Sequence, residues 1–344
     1  MILQGTWSGV DLFFVISGFV ISLTLIPQVS GYFRGELSAK KLILNFFTKR
    51  FFRLLPLSFL ALGLNLMLAY FWNDSGQFGK WAELKNEIIP IVFNYYNYFI
   101  WLGGSSNMSW YWSLAIEEQF YAIYPAVLIF MRTNRLRLFV FLGAFALIIF
   151  WVRPFFTPPF DSIERKLWPI FTTPSHLRFD CIIAGCVAGL VFLDHAALIE
   201  KWSSLSPTIT KIIAAFSIFG IATFGAILPR FEITGYPLIA VLSFVLVLIA
   251  AQNRACTPVF GFSKFLNWLG RRSYAVYLFH MIVIHANNEL IFRISGQSKN
   301  DLSWIQGSVN LLLAYATTLI LAEILHHRIE LKFISFGRKL LQTA

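Results

Sequence analysis

Four polar side chains fall on one stripe of a segment that is otherwise apolar. In Trp112-Ser-Leu-Ala-Ile-Glu117-Glu118-Gln-Phe-Tyr121-Ala-Ile-Tyr124-Pro125, helical spacing sets Ser113, Glu117, Tyr121 and Tyr124 at i, i+4, i+8 and i+11. The apolar run continues to Met131 and stops at Arg132, giving roughly 20 residues, enough to cross a hydrocarbon core. A carboxylate at that depth is costly unless it faces protein or water, and such residues usually serve function. The plainer alternative is a Glu paired to a buried Arg, locking two helices together.

Other segments offer complementary groups. Asp11 stands at the outer end of Gly9-Val-Asp11-Leu-Phe-Phe-Val-Ile-Ser17-Gly18-Phe, with Gly18 and Ser22 below it on the same face; small residues at four-residue intervals allow close helix approach. A carboxylate favoured by the helix dipole is the simpler reading of Asp11. Lys49, Arg50 and Arg53 form a basic collar ahead of Pro56, suited to lipid headgroups or to a phosphorylated cofactor. In His176-Leu-Arg178-Phe-Asp180-Cys-Ile-Ile-Ala-Gly185-Cys-Val-Ala-Gly189, Arg178 is a charge partner for Glu117 or Asp11, and Gly185 and Gly189 mark tight packing. Ser273, Tyr277 and His280 align on one face, and eight residues of rise from Arg272 sink His280 about 12 Å into the membrane. Imidazole suits proton transfer near neutrality, although a buried His bonded to a Tyr is also a common structural device. His326 and His327 read as capping or snorkelling residues at a helix exit, and His285 has no evident partner in the sequence. Cys181, Cys186 and Cys256 have no metal-ligand spacing and read as core thiols. Zinc, phosphate-loop and serine-hydrolase patterns are absent from the sequence.

These groups need membrane helices to position them. The sequence is 57% hydrophobic and 17% aromatic, and its long apolar runs predict an all-α polytopic membrane bundle. About nine spans are expected, over 9–27, 53–72, 112–131, 136–152, 177–194, 209–228, 235–252, 272–291 and 304–325. The run 88–102, broken by Pro90 and rich in Tyr and Asn, suits an interfacial or re-entrant segment. The net charge of +11 does not point to nucleic acid, because the basic residues gather in short connections. A basic loop over 28–52, Arg132 with Arg135 and Arg137, Arg254 with Lys264, Arg271 and Arg272, and a tail over 326–344 all fall on one side. The positive-inside rule assigns that side, and so the C-terminus, to the cytoplasm. The connections 73–111, 153–176, 229–234 and 292–303 are then outside. No soluble appended domain is evident, so residues 1–344 read as one membrane domain. The first apolar run would enter from the outer face, as a second span does.

Taken in order, the segments resemble the acyltransferase family 3 integral membrane proteins. The matching pieces are Gly9-Val-Asp11-Leu-Phe-Phe-Val-Ile-Ser17-Gly18-Phe19, Lys49-Arg50-x-x-Arg53-x-x-Pro56, Trp112-Ser113-Leu114-x-x-Glu117-x-x-Phe120-Tyr121, Arg178-x-Asp180 with Gly185, Ser273-Tyr274-x-x-Tyr277-Leu278-x-His280, and Arg328-Ile-Glu330. Leu331 stands where a Pro usually follows that last Glu. The resemblance implies transfer of an acyl group, most often acetyl from acetyl-CoA, to a hydroxyl of a cell-surface polysaccharide, lipopolysaccharide or lipid-linked sugar at the bacterial inner membrane. It implies catalytic or positioning roles for Glu117, His280, Asp11 and Arg178, CoA-phosphate contacts for Lys49, Arg50 and Arg53, and no metal. It also implies ten spans, the first carrying an Arg and a catalytic His, and this sequence starts after that helix. A glycolipid transporter or flippase, and an inactive remnant, are the alternative readings.

Overall fold

The computed structural model describes residues 8–156, 173–195, 206–227, 232–252, 263–298 and 301–343; among them every regular element is helical. Arg254 and Cys256 lie outside the described residues. In chain order the helices are α1 (Gly9–Phe33), α2 (Ala39–Phe71), α3 (Trp81–Val92), α4 (Tyr96–Trp101), α5 (Tyr111–Phe130) and α6 (Asn134–Leu147). A π-helical turn, Ile148–Val152, carries α6 into α7 (Arg153–Phe156). Then come α8 (Ser175–Asp194), α9 (Pro207–Ile227), α10 (Glu232–Ala251), α11 (Ser263–Ser295) and α12 (Trp304–Leu325). A second π-helical turn, His326–Glu330, leads into α13 (Leu331–Thr343).

Each of the nine apolar runs coincides with a helix, and among the described residues seven helices are long and apolar enough to cross a membrane. The protein is therefore a multi-pass helical membrane bundle. The two runs outside that seven are those of α5, whose hydropathy the polar stripe lowers, and α10, an apolar helix of 20 residues. The run 88–102 forms no span: α3 and α4 are short and are separated where Asn94 takes φ +55°.

Three boundaries differ from expectation. Residues 28–52 are mostly helical, not a loop, because α1 continues to Phe33 and α2 starts at Ala39. At 33 residues, α2 is about 50 Å long, well beyond a hydrocarbon core of about 30 Å. Its first turns therefore carry the basic residues past that core without needing a new element. The connection itself is tight. Gly35 takes φ +80°, while Glu36 N–H donates to Gly31 O at 3.0 Å and Gly35 N–H to Tyr32 O at 3.0 Å, a Schellman closure. In the same turn the Arg34 guanidinium lowers the carboxyl pKa of Glu36 by hydrogen bonding and charge. The second difference is at 153–156, expected in an outer loop and found as a helical continuation; the third is at 326–343, where the helix does not exit at His326.

The chain divides into two compact units. The first comprises Met1–Ala39, Asn94–Gly103 and Trp112–Ser263. Within it α8 packs against α1, α6 and α10. From Cys181 to Leu190 every residue of α8 is buried, whereas on α6 only Arg137 and Phe141 are, which makes α8 the central helix of the unit. Glycines set its approach to α1. A Cβ on Gly18 would overlap Ile182 O, one on Gly185 would overlap Val15 O, and one on Gly189 would stand 2.6 Å from Ser22 Cβ. The small-residue pattern of the sequence thus becomes one helix–helix seam.

The second unit comprises Lys40–Phe93, Gly104–Tyr111 and Lys264–Ala344. Tyrosine hydroxyls tie its helices to backbone carbonyls: Tyr274 to Leu54 O at 2.8 Å, Tyr111 to Ser58 O at 2.8 Å and Tyr277 to Trp110 O at 2.9 Å. Two fully buried carboxylates hold its loops. Glu87 accepts from Asn107 N, Asn107 Nδ2 and Met108 N, and Glu289 accepts from Asp74 N, Ser75 N and Ser75 Oγ while pairing with Arg293.

Candidate functional site

The polar stripe of α5 faces inward along its whole length. Ser113, Glu117, Tyr121 and Tyr124 are exposed by 0, 2, 2 and 1%. Residues of α1 meet them. Ser17 Oγ donates to Glu117 Oε1, and Tyr121 OH lies 3.3 Å from that oxygen and 3.1 Å from Ser17 Oγ. One turn further on, Ser22 donates to Gly18 O at 2.7 Å, so Tyr124 is the donor in its 2.5 Å bond to Ser22 Oγ. The glycine seam brings α1 against α8, and the same helix presents Ser17 and Ser22 to α5. Ser17, in the Gly9–Phe19 segment, is not among the expected site residues, because nothing in its own segment's spacing marks it as the partner of Glu117.

Arg178 takes Asp11, and not Glu117, as its ion-pair partner. Both are buried, at 1% and 0% exposure. The guanidinium also lies 4.2 Å from the Tyr236 ring centroid, 5.6 Å from Trp112 and 5.9 Å from Phe14. Cys181 Sγ stands 3.5 Å from Asp11 Oδ1.

A second buried pair adjoins the first. Arg153 Nη2 lies 2.7 Å from Asp180 Oδ2 and 2.7 Å from Leu177 O, with its guanidinium 4.9 Å from the Tyr236 ring. Tyr236 is therefore in contact with two guanidinium groups, each held by its own aspartate. Arg153 reaches this position because it directly follows the π-helical turn, whose wider step changes the helix register. Phe150, Trp151 and Phe155 stay exposed at 71, 74 and 82%, while Arg153 turns inward at 3%. A strict 3.6-residue period cannot anticipate that rotation. Asp11 Oδ2, Asp180 Oδ1, Arg153 Nη1 and both Arg178 Nε and Nη1 have no protein hydrogen-bond partner among the described residues, so this cluster is more polar than a sealed apolar core tolerates.

A neutral network adjoins the stripe. Gln119 donates to Asn94 O at 2.6 Å and Asn97 Oδ1 at 2.9 Å, and accepts from Ser175 Oγ at 2.5 Å. Thr173 Oγ1 donates to Asn97 O at 3.0 Å. These bonds anchor α4 and the start of α8 beside α5.

The remaining expected site residues belong to the second unit. Lys49 and Arg53 are exposed on α2, and Arg50 is half-buried with its guanidinium 6.0 Å from the Phe46 ring. His280 lies near the middle of α11, half-buried, with its ring 5.7 Å from that of Tyr277. Its Nδ1 is 2.6 Å from Tyr277 O, so Nδ1 carries the hydrogen and the Nε2 lone pair is left to accept a proton. His285 packs edge-on against Phe78 and Trp110. His326 pairs with Glu330 at 2.8 Å inside the second π-helical turn, and His327 with Glu323 at 3.0 Å. Their role as helix-exit caps is thereby corrected: the helix continues through them.

Comparison with known proteins gives a consistent picture. A family model described as an acyltransferase domain matches residues 8–327. Peptidoglycan O-acetyltransferase OatA of Listeria monocytogenes is 25% identical over 306 residues, 82% of this chain and 45% of that protein. O-acetyltransferase OatA of Staphylococcus aureus is 26% identical over 322 residues, 86% of this chain and 48% of that protein. Putative peptidoglycan O-acetyltransferase YrhL of Bacillus subtilis is 25% identical over 354 residues, covering 98% of this chain and 52% of that protein. The chain thus spans about half the length of the curated relatives it matches. No solved structure matches it.

Proposed function

The chain belongs to the acyltransferase 3 family, and from that premise we propose that it moves an acyl group, acetyl first, from acyl-CoA to a hydroxyl of a cell-surface glycan. One observation carries this reading: the Glu117 carboxylate is buried between Ser17 of α1 and Tyr121 of α5 within a multi-pass helical bundle. The names of the relatives make peptidoglycan the first acceptor to try.

The acceptor hydroxyl oxygen attacks the thioester carbonyl, the new C–O bond forms as the C–S bond breaks, and CoA leaves as its thiolate, which then takes up the proton that the hydroxyl gave to the base. The hydroxyl proton goes to a base, and His280 Nε2 has the tautomer for that task. Glu117 acts as a positioning residue, fixing the hydroxyl groups of Ser17 and Tyr121. Asp11 and Arg178 hold α1 against α8, which keeps Ser17 on Glu117. Lys49, Arg50 and Arg53 receive the CoA phosphates, a role suited to the exposed Lys49 and Arg53 and the half-buried Arg50 on a helix extending past the membrane core. In this reading the basic connections and the C-terminus face the cytoplasm of a bacterial inner membrane.

The test is to supply acetyl-CoA labelled in the acetyl group to membranes carrying the chain, with peptidoglycan fragments as acceptor. Label recovered on the glycan as an alkali-labile ester supports the proposal. Glycan moved across the membrane without label overturns it in favour of transport.

A further inference from the structure

Away from these groups, a cleft of about 480 Å³ opens between the start of α6 and the end of α8. We propose that it seats one membrane lipid, a zwitterionic phospholipid whose headgroup carries a primary ammonium. The two helices are packed neighbours, and the cleft is lined by one stripe from each, Arg135, Leu138, Phe139 and Leu142 on α6 and Leu190 and Asp194 on α8, with Asn134 and the imidazole of His195 beside Asp194 at the polar end.

The lining is polar at one end and apolar at the other. Arg135 lies in the first turn of α6 and Asp194 is the last residue of α8, so both charges stand where a span leaves the hydrocarbon. At 1.5 Å per residue, Leu142 lies about 10 Å deeper than Arg135, and Leu190 about 6 Å deeper than Asp194. That gradient matches a phospholipid lying along a helix pair, headgroup at the helix ends and acyl chain against leucine and phenylalanine. Phe139 and Leu142 are exposed by 76 and 49%, as lipid-facing side chains should be, and the volume falls in the range of small-molecule sites.

Charge decides which lipid. The basic group Arg132, Arg135 and Arg137 divides into three different environments. Arg137 is buried, donating to Asn134 Oδ1 and to Leu128 O at 3.2 Å, and Arg132 lies over the Phe33 ring at 5.6 Å. Arg135 lines the cleft, exposed and without an ion pair among the described residues, so its guanidinium is available to a phosphate. Asp194 is exposed, and Asn134 Nδ2 donates to its Oδ1 at 2.8 Å. Its other oxygen has no hydrogen bond among the described residues and suits an ammonium. A cation and an anion at the two sides of one cleft complement phosphate plus ammonium better than an anionic headgroup, which Asp194 would repel.

Native mass spectrometry of the full chain in mild detergent tests this. The probes are dioleoylphosphatidylethanolamine, dioleoylphosphatidylcholine, dioleoylphosphatidylglycerol and inorganic phosphate. Wild type is expected to retain one phosphatidylethanolamine at least about fivefold more than the other two lipids. Asp194→Asn, which keeps an acceptor for Asn134, is expected to abolish that preference, and Arg135→Gln to reduce retention of all three lipids. Equal retention of the three lipids by wild type, unchanged retention in both variants, or binding of inorganic phosphate with no lipid preference would each overturn the proposal. A preference for phosphatidylglycerol would overturn it in favour of an anionic-lipid seat.

Discussion

The buried pair Asp11–Arg178 gives the sharpest quantitative expectation. Asp11→Leu leaves a guanidinium at 1% exposure whose Nε and Nη1 already have no protein partner among the described residues. Tyr236 at 4.2 Å still covers its face but supplies no anion. Breaking one side of a buried pair costs about 3–5 kcal/mol, which at roughly 2 °C per kcal/mol for a chain of this size is a fall of about 6–10 °C. Arg178→Met should cost less, because the stranded carboxyl can take up a proton whereas a guanidinium cannot lose one. The double variant Asp11→Leu/Arg178→Met removes both charges and should return to within about 1 kcal/mol of wild type in stability. A thiol-reactive dye is a suitable reporter, since Cys181 and Cys186 are both free and buried and become reactive on unfolding; a Cys256→Ser background removes the third thiol. If Asp11→Leu melts with wild type, or the double variant melts as low as that single variant, the assignment of this pair as a mutual lock is wrong.

Three further outcomes follow from the packing and the loop clamps. Gly185→Ala would drive a Cβ into Val15 O and should cost about 1–3 kcal/mol by forcing α1 from α8, whereas Gly143→Ala on α6, with nothing within 4 Å, should be neutral or stabilising by up to about 1 kcal/mol; dye melts of the two variants check this. Glu289→Ala removes the acceptor of Asp74 N, Ser75 N and Ser75 Oγ and should destabilise by about 2–3 kcal/mol, seen as faster proteolysis at residues 72–79. Tyr124→Phe removes the donor to Ser22 and should cost about 1 kcal/mol, read from the same melts.

What the sequence made legible followed from period and residue size. The stripe Ser113, Glu117, Tyr121 and Tyr124 obeys an undisturbed helical period, and each member is buried in the structure. Gly18, Gly185 and Gly189 were readable because close backbone approach admits no larger side chain, and Asp11 was one of two partners named for Arg178. What was not legible has specific causes. The π-helical turn at Ile148–Val152 depends on how neighbouring helices pack, so Arg153 could not be told from a loop residue. The second such turn, His326–Glu330, concealed the continuation to Thr343 in the same way. The basic stretch 39–52 looked like a loop because charge marks the end of a membrane core, but charge does not end a helix. Glu289 and its partners in 74–75 lie more than 200 residues apart, a pairing that no local pattern can announce.

The most direct test of the account is the rate of labelled acetyl transfer from acetyl-CoA to peptidoglycan fragments by Glu117→Gln and Ser17→Ala beside wild type. Each variant is matched by dye melt, and kcat is separated from KM. A displaced positioning group should lower kcat about 100-fold in Glu117→Gln with little change in KM for acetyl-CoA, and Glu117→Asp should recover part of the loss. Full turnover by a folded Glu117→Gln would contradict the claim that this buried carboxylate serves acyl transfer.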